Sequence, residues 1–293
     1  MAKIIYDYHK NNESCLDEKV DDIILDIVKN NTDYTEILNS STDWSIHYHL
    51  NPARTNILSV CDIKLTDEIL EIGSGCGAIS SGILKQSEYL DSVEISSKRC
   101  IINYERNKQF SNFNIYVANF ANFNTEKKYD KILLIGALKY ANLFFPNESE
   151  PFICMLNKAK KLLKENGALY VAIENRYGMK YFSGAAEDYT GNYFESIEGY
   201  KNKTSITFSK NTLENIIFAS GFEHVFFYYP LPDYKFAEEI YSDAYLPKHP
   251  FNNLGHSLDK DRYVMFNENK ALTEASKDGN FCFFANSFFV ECR

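Results

Sequence analysis

Residues 69–80 read ILEIGSGCGAIS: an apolar run broken by one acid, three glycines at alternate positions, and a helix-forming continuation. A strand that ends in glycines lets backbone N–H groups approach a ligand closely, because no Cβ intervenes and positive φ costs little. The helix that follows adds its positive end. The stretch therefore predicts a strand–loop–helix turn that holds a nucleotide-like cofactor, with Gly73, Ser74, Gly75 and Gly77 against it.

Two cofactor classes compete for this turn. Gly73, Gly75 and Ala78 also satisfy the dinucleotide fingerprint in its Gly/Ala form, so the glycines alone do not choose. Glu71, two residues before the first glycine, and Gly77, two rather than three residues after the second, favour S-adenosylmethionine. An acid at the strand end meets a cationic donor directly or through water, whereas it repels a pyrophosphate. The next strand pattern, 90–95, carries Glu94, placed to accept hydrogen bonds from both ribose hydroxyls, with Ile95 beside it. NAD enzymes put an acid about 20 residues beyond their glycines, so Glu94 reads an adenosine ribose without separating the classes. An NAD(P)-dependent oxidoreductase also needs a hydride site. The YxxxK string at 104–108 follows the glycines too closely for that and fits an amphipathic helix over 98–110. S-adenosylmethionine is the preferred cofactor, with S-adenosylhomocysteine as product.

The 293 residues, 45% hydrophobic, suffice for a full core, and a net charge of −9 disfavours nucleic acid or an anionic membrane as partner. Lysine clusters at 127–128, 158–164 and 201–203 read as solvated faces. The cysteines at 15, 61, 76, 100, 154, 282 and 292 form no CxxC pair, and the histidines at 9, 47, 49, 224, 249 and 256 show no HxxxH or facial-triad spacing. This predicts reduced thiols, no metal and a soluble cytoplasmic protein. No signal-peptide hydrophobic region opens the chain, and the greasy stretch 132–145, interrupted by Lys139, is shorter than the ~20 residues that span a bilayer. Many of the 21 Tyr and 22 Phe follow residue 170, as an aromatic-lined acceptor cavity or as packed core.

Along the chain, Leu16, Val20, Ile23, Ile24, Ile27 and Val28 form a helical stripe over 16–39, an N-terminal cap. The polar and aromatic segment 43–58, DWSIHYHLNPARTNIL, follows it. Strands are predicted at 68–72, 90–95, 114–118, 130–135 and 167–173, alternating with helices near 77–87, 98–110 and 151–165, the last ended by Gly167. Such alternation specifies a parallel sheet with helices on both faces. A helix at 211–220, stopped by Gly221, precedes HVFFYYPLP and CFFANSFFVEC, two final strands expected to pair antiparallel at the sheet edge. The expected fold is α/β and Rossmann-like: a mostly parallel seven-stranded sheet with a final antiparallel pair, behind an N-terminal helical cap. Residues 1–58 are read as cap and acceptor-side segment, and 59–293 as the cofactor-binding domain with an acceptor lid inserted at about 174–205.

This order of features resembles the class I S-adenosylmethionine-dependent methyltransferases: ExGxGxG over 71–77, the acid at Glu94, Asn119 after the third strand, Asp130 opening the fourth, and the late strand pair. The resemblance implies cofactor contacts from Asn119, Phe120 and Gly136 as well. Asn119 stands where many of these enzymes carry an acid. Its carbonyl can accept from the adenine amine, and its NH2 can address a ring nitrogen. WSIHYHLNPARTNIL, EIGSGCGAIS, LLIGALKYA, AIENRYGMKYFSGAAEDYTG and YYPLPDYKF look more narrowly like a bacterial methyltransferase group found beside glycosyltransferase and surface-polysaccharide genes. Related small methyltransferases serve modified-peptide pathways. The resemblance implies the reaction better than it implies the acceptor.

Methyl transfer is an in-line displacement at an activated carbon, so positioning carries much of the catalysis and no nucleophilic residue is required. A sugar hydroxyl needs a base, whereas a carboxylate attacks as it stands. The loop IGALKYANLF after the fourth strand lacks the NPPY-like sequence typical of nucleobase-amine methylation, which disfavours that acceptor class. Residues 173–191 leave the carboxyl edge of the sheet, where open α/β proteins bind ligands. There Glu174, Asn175, Arg176, Glu187 and Asp188 offer polar contacts, and Gly178, Gly184 and Gly191 offer hinges for a lid. A solvated loop is the alternative. The catalytic candidates are His47, His49, Glu174 and Arg176. The two histidines share a face only if their segment is extended. Either can take a hydroxyl proton, although a hydrogen-bonded structural histidine is the commoner role. Arg54 holds a carboxylate or pairs with Asp43, and Tyr140, Asp188, Asp233 and Lys235 line an acceptor pocket or anchor core and turns. The expected function is O-methyl transfer in a biosynthetic pathway. The acceptor is a peptide carboxylate, giving a C-terminal methyl ester, or a sugar hydroxyl of a surface glycan. The oxidoreductase and a catalytically inactive binding module are the alternatives.

Overall fold

The computed structural model describes residues 2–8, 18–201, 203–252 and 262–293. Leu16 of the cap stripe, Cys15, His9 and His256 lie outside the described residues. The chain divides into two compact units: residues up to Ile135 together with Lys161–Leu169, and Gly136–Lys160 together with Tyr170–Arg293.

The first unit carries β1 (Lys3–Ile5), β2 (Glu68–Ile72), β3 (Tyr89–Glu94), β4 (Phe113–Val117) and β5 (Tyr129–Ile135). Their order is β1-β4-β3-β2-β5, with every pair parallel. These strands read as apolar runs because parallel strands are covered on both faces, and Ile69, Leu70, Leu90, Val93, Ile132 and Leu134 are buried. Around them lie α1 (Glu18–Asn30), α2 (Thr35–Ser40), α3 (Trp44–Leu50), a 3-10 helix (Pro52–Val60), α4 (Ala78–Leu84) and α5 (Ser97–Asn107). Asp43 caps α3 by accepting from Ser45 N–H (2.7 Å), and Asn51 caps the 3-10 helix by accepting from Ala53 N–H (2.9 Å), with Pro52 at its first position. The apolar stripe of α1 is spent on one cluster, where Ile24 and Val28 pack with Leu50, Ile102 and Cys76 of the glycine turn. An Asp21–Arg99 pair (3.1 Å) fastens the same helix to α5.

The helix expected over 151–165 ends at Lys161, and β6 (Leu163–Glu174) begins before Gly167 rather than after it. Gly167 does not stop the helix. It lies inside the strand, where a Cβ would stand 2.9 Å from the Tyr129 carbonyl oxygen.

The second unit contains residues 170–174 of β6 with β7 (Val225–Leu231), β8 (Glu239–Ser242) and β9 (Ser287–Cys292), in the order β6-β9-β7-β8. β7 is antiparallel to both β9 and β8. The described residues thus hold nine strands, not the seven expected. β1 and β8, three and four residues long, are too short to show a period. β8 also removes the late strand pair from the edge of its sheet. In CFFANSFFVEC only the end is extended, and Phe281–Phe284 is a helical turn. Aromatic rings fill this core: Tyr170 stacks on Phe289 (5.7 Å), and Phe227 and Tyr229 meet Phe288 and Phe281 edge-on (5.6 and 5.4 Å). Among the described residues no helix is long and apolar enough to cross a membrane, and Cys61, Cys76, Cys100, Cys154, Cys282 and Cys292 are free thiols.

Candidate functional site

β2 lies between β3 and β5, so the strand order of the first unit reverses beside it. Open α/β sheets bind ligands at the carboxyl ends of strands at such a reversal. There the chain leaves β2 through Gly73 (φ 78°), Gly75 (φ 51°) and Gly77 (φ 78°). Gly73 N–H donates to the Val93 carbonyl (2.8 Å) and ties the turn to β3. The last two glycines answer different needs. A Cβ on Gly75 would meet nothing within 4 Å, whereas one on Gly77 would collide with Asn103 of α5. Gly75 opens on space that a ligand can take, and Gly77, taken from the sequence as a mark of the cofactor class, is required by the packing of α4 on α5. Asn107 donates to Asn103 (2.9 Å) and Asn103 to Ser80 (3.0 Å), which completes that contact.

Glu71 is buried, and Ser80 Oγ–H donates to it at 2.5 Å. Burial pushes its carboxyl up to about 8; the Ser80 hydrogen bond opposes this and the charge of Glu94 adds to it. Glu94 accepts Gly75 N–H on one oxygen and Ser96 N–H on the other, both at 2.9 Å. The carboxylate expected to take ribose hydroxyls therefore also braces the turn, and each oxygen keeps a second lone pair. Ser74 Oγ, in a residue only 7% exposed, is buried without a hydrogen-bond partner. An orphaned hydroxyl in a glycine turn fits a polar ligand group, since buried polar atoms are otherwise paired. Ile95 follows β3 half-buried. Asn119 Oδ1 accepts Ala121 N–H (2.9 Å) and caps the turn Phe120–Asn122, which leaves that carbonyl one further lone pair; Phe120 is buried.

Because 44–50 is helical, His47 and His49 do not share a face. His47 Nε2–H donates to the Ser41 carbonyl (2.8 Å), and its Nδ1 is buried without a partner. His49 packs edge-on to Tyr48 (5.1 Å); burial first, then the charges of Arg99, Arg54 and Arg106, push it down to about 3. Arg54 is buried with its guanidinium 4.3 Å from the Tyr48 ring centroid, and Arg106 donates to the His49 carbonyl. Asp21, His49 and Cys76 offer ligand atoms within 4.8 Å of one another. Asp21 already pairs with Arg99, and three arginines make the place unfavourable for a cation.

In the second unit Glu174, wholly buried at the end of β6, receives Lys139 Nζ at 2.9 and 3.1 Å, Lys235 Nζ at 3.1 Å and the Tyr234 hydroxyl at 3.1 Å. Lys235 also reaches Asp188 (2.9 Å) and Asp233 (3.3 Å), Lys180 reaches Asp188 (2.8 Å), and Tyr181 donates to Asp188 (2.5 Å). Burial works to raise both carboxyls, but Lys139 and Lys235 hold Glu174 at about 2, and Lys180 and Lys235 hold Asp188 well below its ordinary range. Burial likewise opposes the charge of Lys139 and Lys235, yet Glu174 and Asp188 respectively raise them. Glu174 is therefore an ion-pair hub rather than a proton acceptor. Arg176 Nε–H donates to the Ser196 carbonyl (3.0 Å) and its guanidinium lies 5.2 Å from Tyr177. Gly136 (φ 74°) follows β5, where a Cβ would lie 2.6 Å from the Tyr234 hydroxyl, and Tyr140 meets Tyr189 edge-on (5.4 Å). Gly184 is a close-approach position too, since a Cβ there would collide with the Tyr263 carbonyl. Reading the sequence missed Lys180, Tyr181 and Tyr234 as partners. Lys139, the one charge within the apolar stretch 132–145, is a signal in the sequence that could have pointed to a buried acid.

No family model matches the chain. The ribosomal RNA small subunit methyltransferase A of Borrelia garinii subsp. bavariensis is 30% identical over 126 residues, which are 42% of this chain and 40% of that protein. The protein of the same name from Borreliella afzelii matches over the same lengths. The match thus spans about two fifths of the curated relatives' length. Among solved structures, phosphoethanolamine N-methyltransferase 1 of Haemonchus contortus, in complex with phosphoethanolamine and S-adenosylhomocysteine, has a TM-score of 0.51 at 12% identity, covering 95% of this chain and 50% of that one. A possible histamine N-methyltransferase from Thermotoga maritima has a TM-score of 0.47 at 17% identity, covering 88% and 97%. The Haemonchus likeness, with the strand order of each unit and the glycine turn after β2, gives the chain the Rossmann-like fold of the class I S-adenosylmethionine-dependent methyltransferases.

Proposed function

We propose that the chain is an S-adenosylmethionine-dependent methyltransferase acting on oxygen, and that its acceptor is a carboxylate such as the C-terminus of a biosynthetic peptide. The turn after β2 carries the cofactor assignment: a buried acid at the strand end, an open position at Gly75 and an orphaned hydroxyl on Ser74. Glu71 would face the cofactor's cationic end, Glu94 the ribose, and Ile95, Asn119 and Phe120 the remainder. The bound donor supplies a methyl group already activated on sulfur. The protein's part is to bind, to orient and to keep water out.

Three of the four catalytic candidates are poor proton acceptors near neutral pH. His49 is pushed to about 3, Glu174 is held at about 2, and Arg176 is a cation. A carboxylate acceptor asks for no such base. One observation favours a second reading, a sugar hydroxyl of a surface glycan. His47 donates through Nε2, which leaves the lone pair on Nδ1, a buried atom with no partner. A ribosomal RNA acceptor is not proposed, because a net charge of −9 opposes it. Residues 174–205 are proposed as the acceptor side, and the protein is proposed to be cytoplasmic.

The test is transfer of a radiolabelled methyl group to precursor peptides and sugar nucleotides, followed by mild alkali. A carboxylate acceptor yields a methyl ester that releases volatile methanol; an alkali-stable product overturns the carboxylate and, if lost in His47→Ala, establishes the hydroxyl reading. Cofactor binding without transfer to any acceptor supports the inactive module.

A further inference from the structure

The donor's amino-acid end is zwitterionic. Glu71 can take its ammonium, and the carboxylate beside it then needs a partner in a setting already rich in buried acids. The first unit supplies an unusual one. Arg54 is 4% exposed, in a 3-10 helix that presses on α4: a Cβ on Gly82 would stand 2.7 Å from Thr55 Cγ2 and from Leu58 Cδ1. Position 54 is thereby held against the helix that begins at the glycine turn. Its guanidinium lies 4.3 Å from the Tyr48 ring centroid. A guanidinium held over a ring keeps its fork of N–H donors for a carboxylate.

Two further observations point to an anion at this turn. Arg106 is bonded to the His49 carbonyl, and Arg54 and Arg106 both lower the carboxyl of Glu71 through their charge. Ser74 Oγ, 93% removed from solvent by its residue's 7% exposure, has no hydrogen-bond partner. A cationic flank, an acid and an unused hydroxyl together suit a group that carries both charges, and they suit neither a pyrophosphate nor a bare nucleoside.

We propose that Arg54 determines cofactor specificity: its guanidinium takes the carboxylate of the donor's amino-acid end, with Ser74 Oγ–H as second donor, while Glu71 takes the ammonium. The inference rests on the methyltransferase reading. It moves 43–58 from the acceptor side, where the sequence placed it, to the cofactor side.

The test is calorimetric titration of the whole chain with S-adenosylhomocysteine and with 5′-methylthioadenosine, which lacks the amino-acid end. Wild type should bind S-adenosylhomocysteine at least about tenfold more tightly than 5′-methylthioadenosine, on the usual worth of a charged hydrogen bond. Arg54→Met should weaken S-adenosylhomocysteine about tenfold, toward but not down to the level of 5′-methylthioadenosine, since Glu71 still takes the ammonium, and should leave 5′-methylthioadenosine within about twofold of wild type. Arg54→Lys, which keeps the charge and loses the fork, should fall between. Arg54→Met with an unchanged ratio of the two affinities overturns the proposal, and so does an equal loss of both. Should Arg54→Met fail to fold, decarboxylated S-adenosylhomocysteine on the wild type decides: binding as tight as S-adenosylhomocysteine overturns the proposal. A wild type that binds neither thioether instead overturns the methyltransferase reading itself.

Discussion

Glu71 combines two properties that rarely meet in one side chain, full burial and a place in a ligand turn. Its carboxyl is raised from the ordinary 4.5 to about 8, chiefly by burial. The unfolded chain loses this proton near 4.5 and the folded chain near 8, so between those values the fold holds the extra proton and its stability declines as pH rises. Glu71→Gln removes that decline: melting temperatures followed by circular dichroism from pH 5 to pH 8 should fall less than in wild type, and an equal fall would refute the assignment. A cationic ligand favours the ionised acid. Titration with S-adenosylhomocysteine at pH 7 in two buffers of different ionisation enthalpy should therefore reveal release of about one proton, and heats independent of buffer would contradict it. None of this was legible in the sequence. The string ExGxGxG marks Glu71 as an acid in the right place, but its protonation depends on Ser80, Glu94 and the arginines at 54 and 106, which only folding brings near.

At the scale of elements, the strand–turn–helix of 68–84 and the helix that follows were legible because their signals are local: apolar runs, glycines and an amphipathic period. The unread part is equally instructive. The spacing of Gly77 suggested ligand chemistry, yet its neighbours are Asn103 and Asn107 on α5. Gly77→Ala should therefore lower the melting temperature clearly, by about 2–3 kcal/mol of stability for a clash at a left-handed position. Gly75→Ala, with open space around it, should lose only about 1 kcal/mol to backbone strain while abolishing cofactor binding. If the two variants behave alike in both melting and binding, the division between packing and ligand glycines is wrong. Glu94→Ala removes the acceptor for Gly75 and Ser96 N–H and should weaken cofactor binding by about 2 kcal/mol in a calorimetric titration. Unchanged affinity would remove Glu94 from the site. α3 was the harder element, because DWSIHYHL shows no clean period, and its helicity is what separates His47 from His49.

Over the whole molecule, the class of fold followed from the alternation of strand and helix, while the surroundings of the catalytic candidates depend on contacts that no local pattern shows. Glu174 looked like a free acid in a loop-bound string; its partners Lys139, Lys235 and Tyr234 come from segments after β5 and β7. A six-residue set of three lysines and three acids in one unit, with Lys139, Glu174 and Lys235 buried and Lys180, Asp188 and Asp233 half-buried, holds only while it is complete. Lys139→Met leaves Glu174 short of a counter-charge and should destabilise the chain by about 3–5 kcal/mol in urea unfolding. Hydrogen exchange should rise first in 170–174 and 225–235, and exchange confined to residues before 135 would contradict the network's place in the second unit.

The central claim is that the glycine turn after β2 receives S-adenosylmethionine. It is tested most directly by titrating the wild-type chain with S-adenosylhomocysteine and, in the same calorimeter cell, with NADH. The account predicts a single site of micromolar or tighter affinity for S-adenosylhomocysteine and no heat from NADH. Saturable NADH binding with none for S-adenosylhomocysteine would contradict it.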